Sequence, residues 1–389
     1  MACNRNYESA IGAKINGVPI GTSYTVRVPF SYKLRTGSAM QTQNLTQRSS
    51  VLSLSNQNGV DVNLSSVERQ FDIGDFEEQV IRPAAAVIAS GINANVTALT
   101  SQFPKQVGTY NAPVSFTSVA TARQYLTQAL APEGEDVRTL LTHPQHVTDW
   151  ITSNSGLFNP QIDVSDQWRE GIIASRVQGF AAVEEPKMGA YTTGTFGTST
   201  PVVKTATSPG NAGTGNAYAA TMLLQTTGWA SGASTLNAGD VFTIANVYDV
   251  DPETKQSLGR LKQFVVNTTV SDTTGEIDAT VSPCAIFGGA YQNVSAAPAA
   301  GAAITVASPS NSTFLQSLAL HKDAILFACV PLVDASELVK FYAQEQFDGF
   351  AIRVIQTYDT DNDLMPLRLD TISGEVVSYP ELGVRLIGQ

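Results

Sequence analysis

Two imidazoles three residues apart, in His143-Pro-Gln-His146, could hold a transition metal, but no third ligand stands near them, and a pair at a helix start is the favoured reading. The remaining histidine heads His321-Lys322-Asp323, a proton carrier beside an acid. No serine or cysteine in a glycine-flanked elbow accompanies it, so a hydrolytic triad lacks its nucleophile. Asp359-Thr-Asp-Asn-Asp363 opens like a calcium loop, with Asp370 at the twelfth place. Its sixth place is Leu364, where the loop needs glycine for a sharp turn, and the flanking pattern is strand, so an acidic turn is the better reading. Asp249, Asp251 and Glu253, with Pro252 among them, read the same way. Gly210-Asn-Ala-Gly-Thr-Gly215 has its glycines at the wrong spacing for a dinucleotide fingerprint, and no Gly-Lys-Ser/Thr phosphate loop occurs. Cys3, Cys284 and Cys329 are odd in number and far apart, which suits neither a disulfide framework nor a zinc site and makes a reducing compartment the default. These residues supply no catalytic, cofactor-binding or metal site, and the expectation is a protein that is not an enzyme and carries no cofactor.

Composition narrows the class further. At 389 residues the chain is long enough for two or more packed units. With 43% hydrophobic and only 15% charged residues, and Ala, Ser, Thr, Asn and Gly filling much of the rest, it reads as a β-rich chain whose surface largely meets protein. A net charge of −11 argues against a surface built to grip nucleic acid, which needs clustered Lys and Arg. No stretch reaches about 18 consecutive apolar residues, and Met-Ala-Cys-Asn-Arg-Asn lacks the apolar core of a signal peptide. Six Asn-x-Ser/Thr matches, at Asn44, Asn63, Asn95, Asn267, Asn293 and Asn311, would matter only in a secreted protein and read as chance in so Asn- and Thr-rich a chain.

The elements that must position these residues begin with an extended run, Tyr24, Val26, Val28 and Phe30 alternating with mostly polar neighbours. It reads as one arm of a long hairpin, returning through Ser50–Ser55, an Asn58-Gly59 turn and Val60–Leu64. A long helix follows from an Asp75 cap, with Glu77 and Glu78 in its first turn and Phe76, Val80, Ala84, Ile88, Ile92 and Val96 at four-residue steps. It spans roughly 40 Å to about Ser101, and Pro83 kinks it or marks its true start. Further helices are predicted over Ser118–Leu130, Pro144–Thr152 and Trp168–Arg176, with strands over Val137–Thr142 and Val177–Val183.

From about Tyr191 to Ser308 the texture turns Gly-, Thr-, Ser- and Ala-rich with short strands, an all-β insertion of barrel or sandwich type. Its candidate core is Met222, Leu223, Leu224, Trp229, Val241, Phe242, Ile244, Val247, Phe264, Val266, Ile277, Val281 and Ile304. Strand patterns then return at Phe314–Leu320, His321–Val330, Phe350–Tyr358, Leu367–Ile372 and Gly383–Ile387, as though completing an interrupted α+β host.

Taken in order, the elements resemble the major capsid proteins of tailed phages, the HK97 fold, and in particular the Salmonella podovirus coat protein type. The resemblance is carried by Val26–Phe30 through Ser65–Arg69, the spine from Phe76 to Val96, Leu157–Pro160, Arg169–Ile173 with Val177–Phe180, His321–Ala324 with Val330-Pro331, and Arg368–Asp370. It implies an α+β capsid fold: an N-terminal arm remnant over 1–21, an extended hairpin over 22–70, a peripheral-domain spine helix over 71–115 and a first axial part over 116–190. The inserted β-rich domain follows over 191–308, then a second axial part over 309–358 and return strands over 359–389. The family's N-terminal helical arm has no full counterpart here, which fits Met1 being an internal residue of a longer product.

By the same resemblance the function implied is self-assembly into pentamers and hexamers of an icosahedral shell. The partners implied are copies of itself, a scaffolding protein, a portal, and packaged DNA on the inner face without sequence-specific binding, with no membrane. The location implied is the virion, after assembly in the host cytoplasm. The Thr- and Gly-rich β stretch keeps a tail-tube or other β-rich virion or adhesin subunit as the rival class. The acidic clusters alone would suggest a third, a carbohydrate-active or calcium-binding β protein.

Overall fold

A computed structural model describes residues 3–6, 14–15, 18–19, 21–43, 46–65, 76–134, 137–154, 176–197, 199–204, 218–230, 234–332, 334, 336–337, 339, 341–347 and 350–389. The expected Asp75 cap, the helix over 168–175, and the segments 66–69, 157–160 and 210–215 lie outside the described residues. Two short strands, β1 (Lys14–Ile15) and β2 (Val18–Pro19), pair with each other. The alternating run forms β3 (Ser23–Arg27), antiparallel to β4 (Ser49–Ser53), and Val26 and Leu52 bury themselves against Leu326 and Ala328.

Asn58-Gly59 makes no turn. Both residues lie inside β5 (Asn56–Ser65), which pairs antiparallel with residues 364–373 near the far end of the chain. An Asn-Gly pair closes a hairpin when its flanks pair with each other, and here one remote strand takes both flanks. The glycine serves close approach instead: a Cβ at Gly59 would stand 2.8 Å from the Leu369 carbonyl oxygen.

The spine starts as a π-helical turn over Glu77–Ile81, becomes α1 (Arg82–Ala98) and tightens into a 3-10 turn over Leu99–Gln102. Pro83 is the second residue of α1, where the π-helical turn gives way to α geometry; lacking an N–H, it cannot donate to a carbonyl of the turn before it, which fits a change of helical pitch at that point. Ala84, Ile88, Ile92 and Val96 are buried, as their spacing predicts, on Phe327, Leu367 and Leu369. Although no run of consecutive apolar residues is long enough to span a membrane, the helical stretch Glu77–Gln102 reaches a mean hydropathy of 1.2 over 18 residues, which is enough by length and composition. Its apolar stripe is spent on the sheet beneath it.

Next come β6 (Lys105–Gly108) and α2 (Phe116–Gln128), whose cap Ser115 accepts the Ser118 N–H. They lead to β7 (Arg138–Thr142), α3 (Pro144–Asn154), β8 (Arg176–Val177), β9 (Phe180–Glu184) and β10 (Ala190–Thr192). The stretch 177–183, expected as one strand, is folded in two where Gln178 and Gly179 adopt positive φ, the geometry of a two-residue hairpin turn.

The insertion contributes β11 (Val202–Val203), β12 (Met222–Thr227), β13 (Ser234–Leu236), β14 (Val241–Val250), β15 (Ser257–Val266), β16 (Val270–Asp272), β17 (Glu276–Ser282) and β18 (Ile304–Val306). Six of these pair in the order β11-β12-β17-β15-β14-β18, and a Val202–Ala303 bridge joins the end of the order to its start, so the sheet closes on itself as a barrel. Leu223 departs from the expected core: strand alternation turns Met222 and Leu224 inward and leaves Leu223 42% exposed. Val241 is buried, but outside the barrel cluster.

The chain ends in β19 (Thr313–His321), β20 (Ile325–Val330), β21 (Phe341–Phe347), β22 (Phe350–Gln356), β23 (Leu364–Val377) and β24 (Gly383–Ile387). A first sheet runs β6-β24-β19-β7-β9-β8, with β10 on β19, and carries α2. A second runs β20-β23-β22-β21, with β5 on β23, and carries α1. Within 309–358, expected as the second axial part, the chain leaves the first sheet for the second at the 3-10 turn Lys322–Ala324. The expected spine segment 71–115 likewise overruns into the first sheet, which takes β6. Tyr191, expected to open the insertion, sits in β10 opposite Phe314, so the barrel begins after residue 192. In each case the deciding contact is a strand pairing too remote in sequence to leave a local trace.

Candidate functional site

The residues with potential for chemistry are dispersed and each is occupied locally. His146 is fully buried, its Nδ1 2.7 Å from Ser317 Oγ, which also accepts the His143 N–H at 3.0 Å. The hydroxyl oxygen keeps a second lone pair, so either tautomer of a neutral His146 can make this bond. Burial, followed by the nearby His143, pushes the His146 imidazole down to about 4. His321 is buried and its Nδ1 accepts the Asp323 N–H at 3.2 Å, capping the 3-10 turn. Asp359 accepts from the Asp361 N–H at 3.0 Å and from Asn362 Nδ2 at 2.8 Å, while Asp370 lies apart in β23, buried and held by Arg353, Arg368 and Gln57. No group of three or more His, Cys, Asp or Glu arranged to hold a metal occurs among the described residues. All three cysteines are buried, and burial pushes the Cys3 thiol up to about 12.

What converges instead is a polar joint between the barrel and the first sheet with its helix α2. In β15, Gln263 Oε1 accepts the Gln106 N–H and its Nε2 donates to the Gln106 carbonyl, both at 2.9 Å, so one side chain completes the edge of β6. Arg385, buried in β24, donates to the Gly239 carbonyl at 2.8 Å, beside a Tyr191 hydroxyl that donates to Asp240 at 2.9 Å. Burial pulls the Arg385 guanidinium down to about 10.

Asp249 of β14 is not the exposed turn acid expected. It is buried, 2.7 Å from Arg260 and 2.8 Å from Lys262. Burial raises its carboxyl, and Lys262, Lys105 and Arg260 outweigh that, leaving it at about 2. Arg260 also lies 3.9 Å over the Tyr125 ring and donates to Gln128 at 2.6 Å, tying the barrel to α2. Asp251 behaves as the turn residue expected, accepting the Glu253 and Thr254 N–H groups, with Glu253 exposed in the same turn.

Sequence reasoning missed this joint. Arg385 does carry a signal, a charge inside the apolar run Gly383–Ile387; Lys105, Gln263 and Arg260 sit in ordinary strand patterns and carry none.

The second unusual surface is the hairpin. From 28 to 43 it forms no strand, and it holds Leu34 and Met40 at 84% and 85% exposure, with Tyr32 and Phe30 also exposed. Large apolar side chains concentrated in one extended arm are an interaction surface rather than the scattered exposure of an ordinary monomer.

A family model described as P22 coat protein, gene protein 5, matches residues 33–388. Among solved structures, a Mycobacterium phage Che8 chain aligns with a TM-score of 0.52 at 12% identity, over 99% of this chain and 89% of that one. A chain from the capsid structure of the cyanophage P-SCSP1u gives 0.49 at 11% identity, over 95% and 84%. One from the capsid of Ralstonia phage GP4 gives 0.47 at 9% identity, over 100% and 87%. At these identities the Che8 likeness speaks to the fold alone. No curated protein matches.

Proposed function

The chain belongs to the P22 coat protein family and is a tailed-phage major capsid protein with the HK97-like fold, and from that premise we propose how its parts serve the shell. The hairpin arm is the assembly element: it lies on a neighbouring copy, which covers the apolar residues its own subunit leaves bare. The observation that carries this is the exposure of Leu34 and Met40 on a segment with no strand partner. Repeated around fivefold and sixfold axes, weak contacts of this kind give pentamers and hexamers whose stability is collective.

The barrel is a guest domain inserted between β10 and β19, and its polar joint holds it against the first sheet. The shell encloses DNA without reading its sequence, consistent with a net charge of −11. A scaffolding protein and a portal act as assembly partners in the host cytoplasm, and no part of the chain performs catalysis.

Deleting residues 35–46, the hairpin tip, tests the assembly reading. The expected product is a folded subunit with an unchanged melting temperature that yields few or no shells by electron microscopy, where the parent chain yields closed shells. Normal shells from the deletion would remove the hairpin from the contacts between copies.

A further inference from the structure

We propose that the cavity where the hairpin base, the first sheet and the barrel meet is a binding site for a phosphate-class oxyanion, held by Lys105, Arg48, Arg260 and Lys262. The cavity has a volume of about 550 Å3. A water takes about 30 Å3 of liquid, so an oxyanion and several waters fit. In a chain of net charge −11, five cations line it against three carboxylates.

The pairing within the cavity leaves charge over. Arg48 meets Glu381 at 2.8 Å, Arg260 and Lys262 share Asp249, and Asp323 accepts from Asn4 at 2.6 Å. Lys105 is then left with backbone carbonyls only, those of Glu381 at 2.9 Å and Tyr125 at 3.4 Å, and no carboxylate within ion-pair distance among the described residues. Lys255, also lining the cavity, is likewise held by carbonyls, those of Pro252 at 2.6 Å and Gln292 at 3.4 Å. The Arg48 Nε is buried and has no hydrogen-bond partner.

A buried ammonium without a counter-ion is costly, and it is relieved by losing its proton or by gaining an anion. Burial, then repulsion from Lys262 and Arg260, outweighs the attraction of the more distant Asp249 and Glu381 and leaves Lys105 at about 7, so both routes are open near neutrality. An oxyanion would bridge the hairpin base, the edge of the first sheet and β15, fixing the angle at which the hairpin leaves the subunit. The site rests on the geometry of a single subunit and stands or falls independently of the shell.

The test is the melting temperature of the soluble subunit at pH 7.5 in sodium phosphate against sodium chloride of equal ionic strength, with a short DNA duplex as a third arm. Phosphate at about ten times its Kd should raise Tm over chloride by roughly 2 °C. Lys105→Met, which needs no counter-ion, should fold and lose that difference, and Lys255→Gln should halve it. Calorimetry in buffers of differing ionisation heat should show proton uptake on binding in the parent and none in Lys105→Met.

A Lys105-dependent shift with duplex alone would assign the phosphate to nucleic acid and keep the site. A parent that responds to neither phosphate nor duplex, or a shift retained in Lys105→Met, would overturn the proposal. Should Lys105→Met not fold, a full shift in Lys255→Gln would overturn it instead.

Discussion

The buried residues at the centre of the barrel all lie between 196 and 304, whereas those under α1 come from residue 3, from 84–103, from 188 and from 318–369. Both cores use the same apolar residue types. The barrel gathers its core from one stretch of chain because its six strands close on one another. The helix and its sheet complete their core only when both ends of the chain arrive, as β5 against β23 shows. Contiguity, rather than composition, separates the two cores, and the joint between them is polar, built on Gln263, Arg260 and Arg385.

The largest expected effect strikes the host. Ile88→Asp places an unpaired charge on the buried stripe of α1, costing several kcal/mol against a total stability of roughly 5–15 kcal/mol. The expected outcome is loss of the native subunit, with any residual cooperative melt belonging to the barrel. Shells at normal yield would show that the stripe is exposed.

Next in size is excision of residues 193–308, which should give a β-rich circular dichroism spectrum and a cooperative melt. A disordered spectrum would mean that the barrel depends on the first sheet's surface, and the contrast between the two cores would collapse.

Acid should then separate the regions. His146 has a folded pKa of about 4 against 6.5 unfolded, so the unfolded chain takes up its proton first. Its contribution is complete above pH 6.5 and is lost as pH falls from 6.5 to 4, amounting to roughly 3 kcal/mol. Denaturant midpoints at pH 7, 5.5 and 4 would measure this in the full chain. His146→Leu should flatten the slope, and the barrel, whose sequence holds no histidine, should lose less. An equal slope in the excised barrel would locate the acid sensitivity in its carboxylates.

The smallest effect is at the joint. Gln263→Ala removes two hydrogen bonds to the Gln106 backbone, at about 1–2 kcal/mol. It should lower the midpoint of the host while leaving the excised barrel's melt unchanged, and loss of stability in both would make Gln263 part of the barrel's own framework.

Much of the host was legible locally. The stripe from Ala84 to Val96 is a four-residue period with one reading, and the helix expected over Ser118–Leu130 is α2, which the structure starts two residues earlier behind a Ser115 cap. The hairpin arm was legible as an extended segment too polar to form its own core. The joint was not, because Arg48, Lys105 and Arg260 are separated by tens of residues or more and each occurs in an unremarkable context. Asn58-Gly59 was misread for a related reason: a turn propensity is a preference of about a kcal/mol or less, and ten consecutive pairings with β23 override it.

Local pattern was enough to place α1, α2 and α3, most strands and the abrupt change of texture around the insertion, because hydrophobic periodicity and capping act over a few residues. Only the tertiary structure decided which sheet each return strand joined, that the barrel closes, and that Asp249 is buried among cations instead of sitting in an exposed turn. Those outcomes depend on backbone pairing and desolvation between separate strands, where the energy comes from the partner and no residue announces its partner in advance.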